Sequence, residues 1–233
     1  MGYVIFQVVV PQAPQLKVVV LGHSFVSGLD QHFRAKYKGQ PQALESHIAL
    51  ELKVDRNIAS VTLLGQSGAK ALNFEAPTYI LDKIRPNIII LDLGSNDLAE
   101  GIVPEVVRDK IVAIAEGLQD AYSAAVGILS VLPREKGVSL GPAAFRQAFE
   151  AYNLSVKIAT RNLTPIFFFS HKGFWEQQVT MGQAIFKLPM LLEAWSKDGI
   201  HPNSIEGRKK YKNSIRTAIC QAIKLRKRHF SNN

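Results

Sequence analysis

The chain contains a single cysteine, Cys220, among its 233 residues, which excludes an internal disulfide. It also lacks any apolar run near the roughly 20 residues that a membrane-spanning helix requires, and it has no polar low-complexity tract. Residues 1–15 are apolar but carry neither the basic region nor the cleavage site typical of a signal peptide. These absences favour a globular, cytoplasmic protein in which residues 1–15 form an N-terminal extension.

Two kinds of ligand site are missing as well. The segment GQSGAK at 65–70 is not a P-loop, because its two glycines are too close together and Lys70 is followed by Ala71. Nucleotide hydrolysis is therefore not indicated. Three histidines show no spacing typical of metal ligands and are interpreted as surface or packing residues: His32, His47 and His229.

Acidic residues are absent from one part of the chain. Between Arg208 and Arg228 there are nine lysines and arginines and no acid, and the other 19 basic residues equal the 19 acids in number. An uncompensated basic run can bind nucleic acid or an anionic membrane surface, although most charge runs are solvated helix faces. Contact with such a partner is an accessory hypothesis, through Arg208, Lys209, Lys210, Lys212, Arg226, Lys227 and Arg228.

What the chain does have is a regular alternation of strand and helix patterns. Five runs are apolar at nearly every position, which is typical of strands covered on both faces: 16–21, 60–64, 87–93, 126–132 and 165–169. Helical spacing of apolar residues occurs at 103–121, 142–162 and 205–226. Residues 40–58 fit either a helix or an inserted strand. The alternation predicts one α/β domain over 1–233, with a mostly parallel five-stranded sheet, helices on both sides and a basic C-terminal helix at 204–229.

Polar groups follow these strands at the edge where an open parallel sheet forms its sites. Asp198 and His201 are three residues apart, so the carboxylate can accept from one imidazole nitrogen and leave the other as a base. The hydroxyl of Ser24, just after the first strand, needs such a base because it is scarcely nucleophilic by itself. Taken alone, the Asp-x-x-His pattern is weak evidence, because it is also ordinary by chance or as a helix cap.

Three groups could donate hydrogen bonds to an oxyanion. The N–H of Ser24 lies at the expected start of a helix, where the helix dipole is positive. Gly68 can offer an unobstructed backbone N–H, and Asn96 can offer its side-chain amide. The alternative for Gly94–Asp97 is a plain turn and helix cap.

Taken in order, four blocks resemble the SGNH (GDSL-type) hydrolase superfamily over about 16–226: Gly22-x-Ser24, the loop around Gly68, Gly94-x-Asn96-Asp97 and Asp198-x-x-His201. The resemblance implies a flavodoxin-like three-layer α/β/α sandwich with no metal or organic cofactor. It also implies Ser24 as the nucleophile, His201 as the base and Asp198 as its orienter. The oxyanion hole would be formed by Ser24, Gly68 and Asn96.

The chain departs from this family at position 23, where His23 stands in place of the usual Asp. His23, Asp97 and His171 are the candidates for further contacts with substrate, although His171 could instead pack against Phe174 and Trp175. More narrowly, GHSFVSGL, LGQSGA, IILDLGSNDL and HKGFW look like SGNH-type domains found beside mobile-element reading frames in invertebrates.

The resemblance implies a serine esterase or deacetylase that hydrolyses a small acyl ester through an acyl-enzyme. Two alternatives remain at this point. One is a catalytically silent SGNH fold that serves as a binding module, and the other is a nucleic-acid-associated accessory domain of a mobile element.

Overall fold

The five apolar runs form one parallel sheet in the computed structural model, which describes residues 16–40, 43–171, 173–174, 176–181, 184–189 and 196–230. The sheet order is β2-β1-β3-β4-β5, and every pairing between neighbours is parallel. The predicted five-stranded sheet is therefore confirmed. Its strands are β1 (Leu16–Gly22), β2 (Ala59–Gly65), β3 (Ile88–Asp92), β4 (Ala125–Leu129) and β5 (Ile166–Phe169).

Helices cover both faces of this sheet, and the reason lies in the strand side chains. Val18 and Val20 of β1 join one buried apolar cluster, whereas Val19 and Leu21 join another, because successive side chains in a strand point to opposite faces. Both faces are apolar, so each needs a layer of helices. The helices are α1 (Ser24–Lys36), α2 (Leu44–Glu51), α3 (Thr78–Ile84), α4 (Ser95–Ala99), α5 (Pro104–Tyr122), α6 (Pro142–Ala159) and α7 (Ile205–Phe230).

The helices divide between the two clusters, which gives the predicted three layers. The buried apolar side chains of α1, α2 and α7 belong to the first cluster, and those of α3, α4, α5 and α6 to the second. The helix α7 lies along the sheet through a buried stripe that includes Tyr211, Ile215 and Ile219, as its spacing predicts. None of the helices in the described part of the chain is long and apolar enough to cross a membrane.

Two features differ from the sequence prediction or complete it. The ambiguous stretch 40–58 contains the helix α2 rather than a strand. An antiparallel hairpin, which the sequence pattern did not predict, follows β5 and consists of β6 (Glu176–Met181) and β7 (Ala184–Pro189). The proposed N-terminal extension 1–15 and the residue Trp175 lie outside the described residues.

Candidate active site

Ser24 lies at the point where β1 ends and α1 begins. His23 is the N-cap of α1, and its Nδ1 accepts a hydrogen bond from the N–H of Phe25 at 3.5 Å. The helix starts tightly against the sheet edge: a Cβ on Gly22 would lie only 2.8 Å from the carbonyl oxygen of Asp92. Glycine at this position therefore lets the strand turn directly into the helix that presents Ser24.

The structure brings Ser24, His201 and Asp198 into one chain of hydrogen bonds. The Nε2 of His201 is 3.0 Å from the Oγ of Ser24, and its Nδ1 is 2.8 Å from the Oδ2 of Asp198. These residues are 177 positions apart in sequence, and the sheet edge joins them. With the proton of the imidazole on Nδ1, Nε2 presents its lone pair to the serine hydroxyl.

Asp198 is held as a carboxylate by several donors. Its Oδ1 accepts from the backbone N–H groups of Ile200 and His201 at 2.9 and 2.7 Å. Its Oδ2 also accepts from the side-chain amide of Asn203 at 2.8 Å. Burial alone would raise the pKa of Asp198, but the hydrogen bonds from His201 and Ile200 outweigh it and lower the pKa to about 2. Asp198 is thus ionised at neutral pH.

Gly68 and Asn96 lie in two segments that a hydrogen bond joins, the loop after β2 and the helix α4. Gly68 has a φ of +76°, which favours glycine, and the space where its Cβ would stand is open. The Nδ2 of Asn96 donates to the carbonyl oxygen of Ala69 at 2.9 Å, which ties α4 to the loop after β2. An amide nitrogen carries two hydrogens, so Asn96 keeps a second one for another acceptor.

Arg134, which the sequence analysis did not single out, binds the oxygen of the Asn96 side-chain amide. Its Nη2 donates to the Oδ1 of Asn96 at 2.8 Å, and its Nε donates to the Oγ of Ser95 at 2.9 Å. The arginine is only 7% exposed, and burial lowers its pKa to about 10, which leaves it charged at neutral pH. No sequence motif marks it, because its partners lie almost 40 positions earlier.

The three candidates for further substrate contacts, His23, Asp97 and His171, all lie in the interior. Asp97 accepts from the N–H groups of Ala71 and Leu72 at 2.8 and 3.1 Å, so it holds the loop that contains Gly68. All three residues are at most 1% exposed, so they have no free surface with which to contact a substrate.

His23 and His171 belong to a buried polar cluster with Asp92 and Tyr211. The Nε2 of His23 is 3.5 Å from the Oδ1 of Asp92, whose Oδ2 accepts from the hydroxyl of Tyr211. Burial would raise the pKa of Asp92, but His23 outweighs it and the pKa is lowered. Burial lowers the pKa of His171 to about 4. The ring of His171 also packs edge-on against Phe174, as one of the two sequence interpretations predicts.

A cleft of about 340 Å³ opens beside the serine. Its wall is formed by the start of α1, the loop after β2 and the segment leading into α7, and includes Ser24, Ser67, Asp198, His201, Arg208 and Tyr211. The serine and the imidazole are therefore reachable by a small molecule.

The candidate cations for an anionic partner have two different environments. Four are exposed, namely Arg208, Lys209, Lys227 and Arg228, and of these Lys209 pairs with Glu206 at 3.5 Å. The other three are partly buried and bind groups of the chain as well. Lys210 donates to the carbonyl of Gly173 at 2.7 Å, Lys212 pairs with Glu51 at 3.2 Å, and Arg226 donates to the carbonyl of Ser123 at 2.8 Å.

Comparison with known proteins identifies the fold. No protein-family profile matches the chain, and no curated protein is significantly similar in sequence. Among solved structures, the chain is similar to a GDSL-like lipase from Bacteroides thetaiotaomicron, with 20% identity, 88% of each chain covered and a TM-score of 0.59.

Two further structures agree. A catalytic mutant of an acetylxylan esterase from Geobacillus stearothermophilus is 12% identical, with 90% of this chain and 96% of that one covered and a TM-score of 0.59. A carbohydrate esterase family 3 protein from Talaromyces cellulolyticus is 17% identical, with 90% and 99% covered and a TM-score of 0.55. The chain therefore has the fold of the SGNH (GDSL-type) hydrolases.

Proposed function

We propose that this protein is a serine esterase that hydrolyses a small acyl ester, such as an acetyl ester, through an acyl-enzyme. The observation that carries the proposal is the hydrogen-bonded chain from Ser24 through His201 to Asp198 on the wall of an open cleft. The fold supports it, because structures described as a GDSL-like lipase and as acetylxylan and carbohydrate esterases share it.

In the first half of the reaction, the Oγ of Ser24 attacks the carbonyl carbon of the ester while the Nε2 of His201 takes the hydroxyl proton. The Asp198 carboxylate stabilises the imidazolium that forms. When the tetrahedral intermediate collapses, the bond from the carbonyl carbon to the alcohol oxygen breaks. His201 then gives its proton to that oxygen, and the acyl group stays on Ser24.

In the second half, water replaces the serine hydroxyl. His201 takes a proton from the water as it attacks the acyl carbon, and returns the proton to the Oγ of Ser24 when the acid leaves. In both halves, negative charge develops on the carbonyl oxygen. The Ser24 N–H at the start of α1, the Gly68 N–H and the second amide hydrogen of Asn96 are the donors we assign to it.

The test is the hydrolysis of 4-nitrophenyl acetate by the wild type beside Ser24→Ala and His201→Ala. Matched controls are Ser46→Ala and His47→Ala, both on α2 and away from the cleft. We expect the two site variants to lose at least roughly a thousandfold in kcat, and the two controls to keep it. All five proteins should unfold in similar thermal transitions.

A fluorophosphonate should also label Ser24, as mass spectrometry of the modified peptide would reveal. If the folded wild type neither hydrolyses short acyl esters nor reacts with the probe, the esterase proposal is wrong. The catalytically silent binding module then becomes the better description of the chain.

A further inference from the structure

The buried cluster beneath Ser24 has no part in the reaction scheme above, yet one of its members touches the serine. The Nδ1 of His23 lies 3.4 Å from the Oγ of Ser24 and accepts from the N–H of Phe25 at 3.5 Å. On the other side of the ring, Nε2 faces the Oδ1 of Asp92 at 3.5 Å. Ser24 is therefore flanked by two Asp–His pairs, one on the cleft wall and one in the interior.

The two pairs differ in what their imidazoles can do. A helix N-cap must supply an acceptor for an N–H of the first turn, and the Nδ1 of His23 supplies it to Phe25. A ring that accepts at Nδ1 carries its proton on Nε2, the nitrogen that faces Asp92. The lone pair of His23 is thus already engaged. His201 has no such second partner at Nε2 among the described residues, so it remains the base.

The charge of Asp92 explains why a histidine fits at position 23. The side chain of Asp92 is 4% exposed and that of His23 is fully buried. A carboxylate at position 23 would also cap the helix, but it would place two negative charges side by side away from water, which is strongly unfavourable. An imidazole also supplies the cap acceptor and presents an N–H to Asp92 instead.

We propose that His23 is a positioning residue: Asp92 orients its imidazole, and the imidazole fixes the first turn of α1 and with it the Oγ of Ser24. The buried acid that supports the serine then lies at the end of β3, with His23 as the link. The inference rests on the proposed role of Ser24 as the nucleophile. It predicts that the acceptable side chain at position 23 depends on the charge at position 92.

The experiment is a double-mutant cycle with His23→Asp, Asp92→Asn and both together, with His47→Asn on α2 as the control. For each protein, kcat and KM for 4-nitrophenyl acetate are measured per reactive serine, counted with a phosphonate, and thermal unfolding is recorded. We expect His23→Asp to lower kcat by about a hundredfold, with KM changed less than about threefold, and the double variant to recover at least about tenfold of this.

If the imidazole acted only by filling space, neutralising Asp92 would not restore the kcat that His23→Asp loses. A folded double variant no more active than folded His23→Asp overturns the proposal, and so does wild-type kcat in His23→Asp. If His23→Asp does not fold, His23→Ser decides. Ser keeps a cap acceptor but has a shorter side chain with no N–H toward Asp92, so a lowered kcat supports the proposal and an unchanged one overturns it.

The cycle also separates this inference from the proposed esterase function. If the wild type hydrolyses no ester, the esterase proposal fails, but the unfolding temperatures of the four proteins still measure the coupling between positions 23 and 92. A double variant that unfolds at a higher temperature than His23→Asp supports the pairing. Equal temperatures overturn it.

Discussion

The buried cation Arg134 fixes the orientation of a neutral group, the side-chain amide of Asn96. Its planar guanidinium presents several N–H donors in a fixed fork, and two of them meet the adjacent acceptors on Ser95 and Asn96. Because the Oδ1 of Asn96 is taken by Arg134, its amide nitrogen must face the loop that contains Gly68. The orientation of Asn96, which we propose as an oxyanion donor, thus depends on a side chain that does not line the cleft.

We predict that Arg134→Lys lowers kcat for 4-nitrophenyl acetate by about tenfold, with little change in KM, because a single ammonium cannot replace the fork. Arg146→Lys is the matched control, since Arg146 is exposed and pairs with Glu150 on its own helix. Steady-state kinetics on both variants check the prediction. An unchanged kcat for Arg134→Lys would mean that Asn96 needs no such support.

At this scale, local patterns made only part of the site predictable. Ser24 follows a strand directly, and Asp198 and His201 are three residues apart, so short motifs point to them. The partners Arg134, Asp92 and Tyr211 carry no such signal. Tyr211 reaches Asp92 across 119 positions, and nothing in the sequence near either residue specifies that contact.

At the scale of elements, Glu51 connects three helices on one face of the sheet. It ends α2, and its carboxylate accepts from Lys36 of α1, from Tyr37 at 2.9 Å and from Lys212 of α7 at 3.2 Å. Burial would raise the pKa of Glu51, but the hydrogen bonds from Lys36, Tyr37 and Lys212 outweigh it and lower the pKa to about 2. The carboxylate therefore stabilises the fold in its charged form.

We predict that Glu51→Gln lowers the free energy of unfolding at neutral pH by about 1 kcal/mol, or the Tm by about 2–4 °C, since its partners are partly solvated. The pKa is lower in the folded chain than its ordinary 4.5. The stabilisation is therefore present above that value and is lost as the pH falls towards 2. Unfolding curves of both proteins at several pH values should converge in that range.

The matched control for this prediction is Glu150→Gln, because Glu150 is exposed and pairs with Arg146 four residues earlier. Its unfolding curve should stay close to that of the wild type at every pH. A constant difference between Glu51→Gln and the wild type from neutral pH to pH 2 would contradict the assigned role of the charge.

The elements themselves were mostly predictable, because the inner strands β1, β3 and β4 are buried on both faces along most of their length and each long helix is buried on one. The apolar runs and the three- and four-residue spacings follow directly from that burial. Among the described residues, the hairpin β6–β7 forms a separate two-stranded sheet. It was therefore not marked by a continuous apolar run of the kind that identified the other strands.

At the scale of the whole molecule, the excess positive charge lies on α7. Contact with nucleic acid through this helix stays a prediction. Four of its seven candidate cations are already bound to the chain, namely Lys209, Lys210, Lys212 and Arg226. The exposed Arg208 differs from the rest because it lies on the wall of the cleft with Ser24 and His201.

We predict that Arg208 gives a preference for anionic esters, because it is an exposed cation on the cleft wall and the acid on the same wall, Asp198, is paired with His201. Arg208→Glu should lower kcat/KM for 4-acetoxybenzoate by roughly tenfold at low salt and change its neutral methyl ester by less than about twofold. The effect should shrink in about 0.5 M salt, which screens exposed charges.

Arg216→Glu, on an exposed position of the same helix away from the cleft, is the matched control. Equal losses for both esters, or for both variants, would show that the charge of Arg208 does not select the substrate.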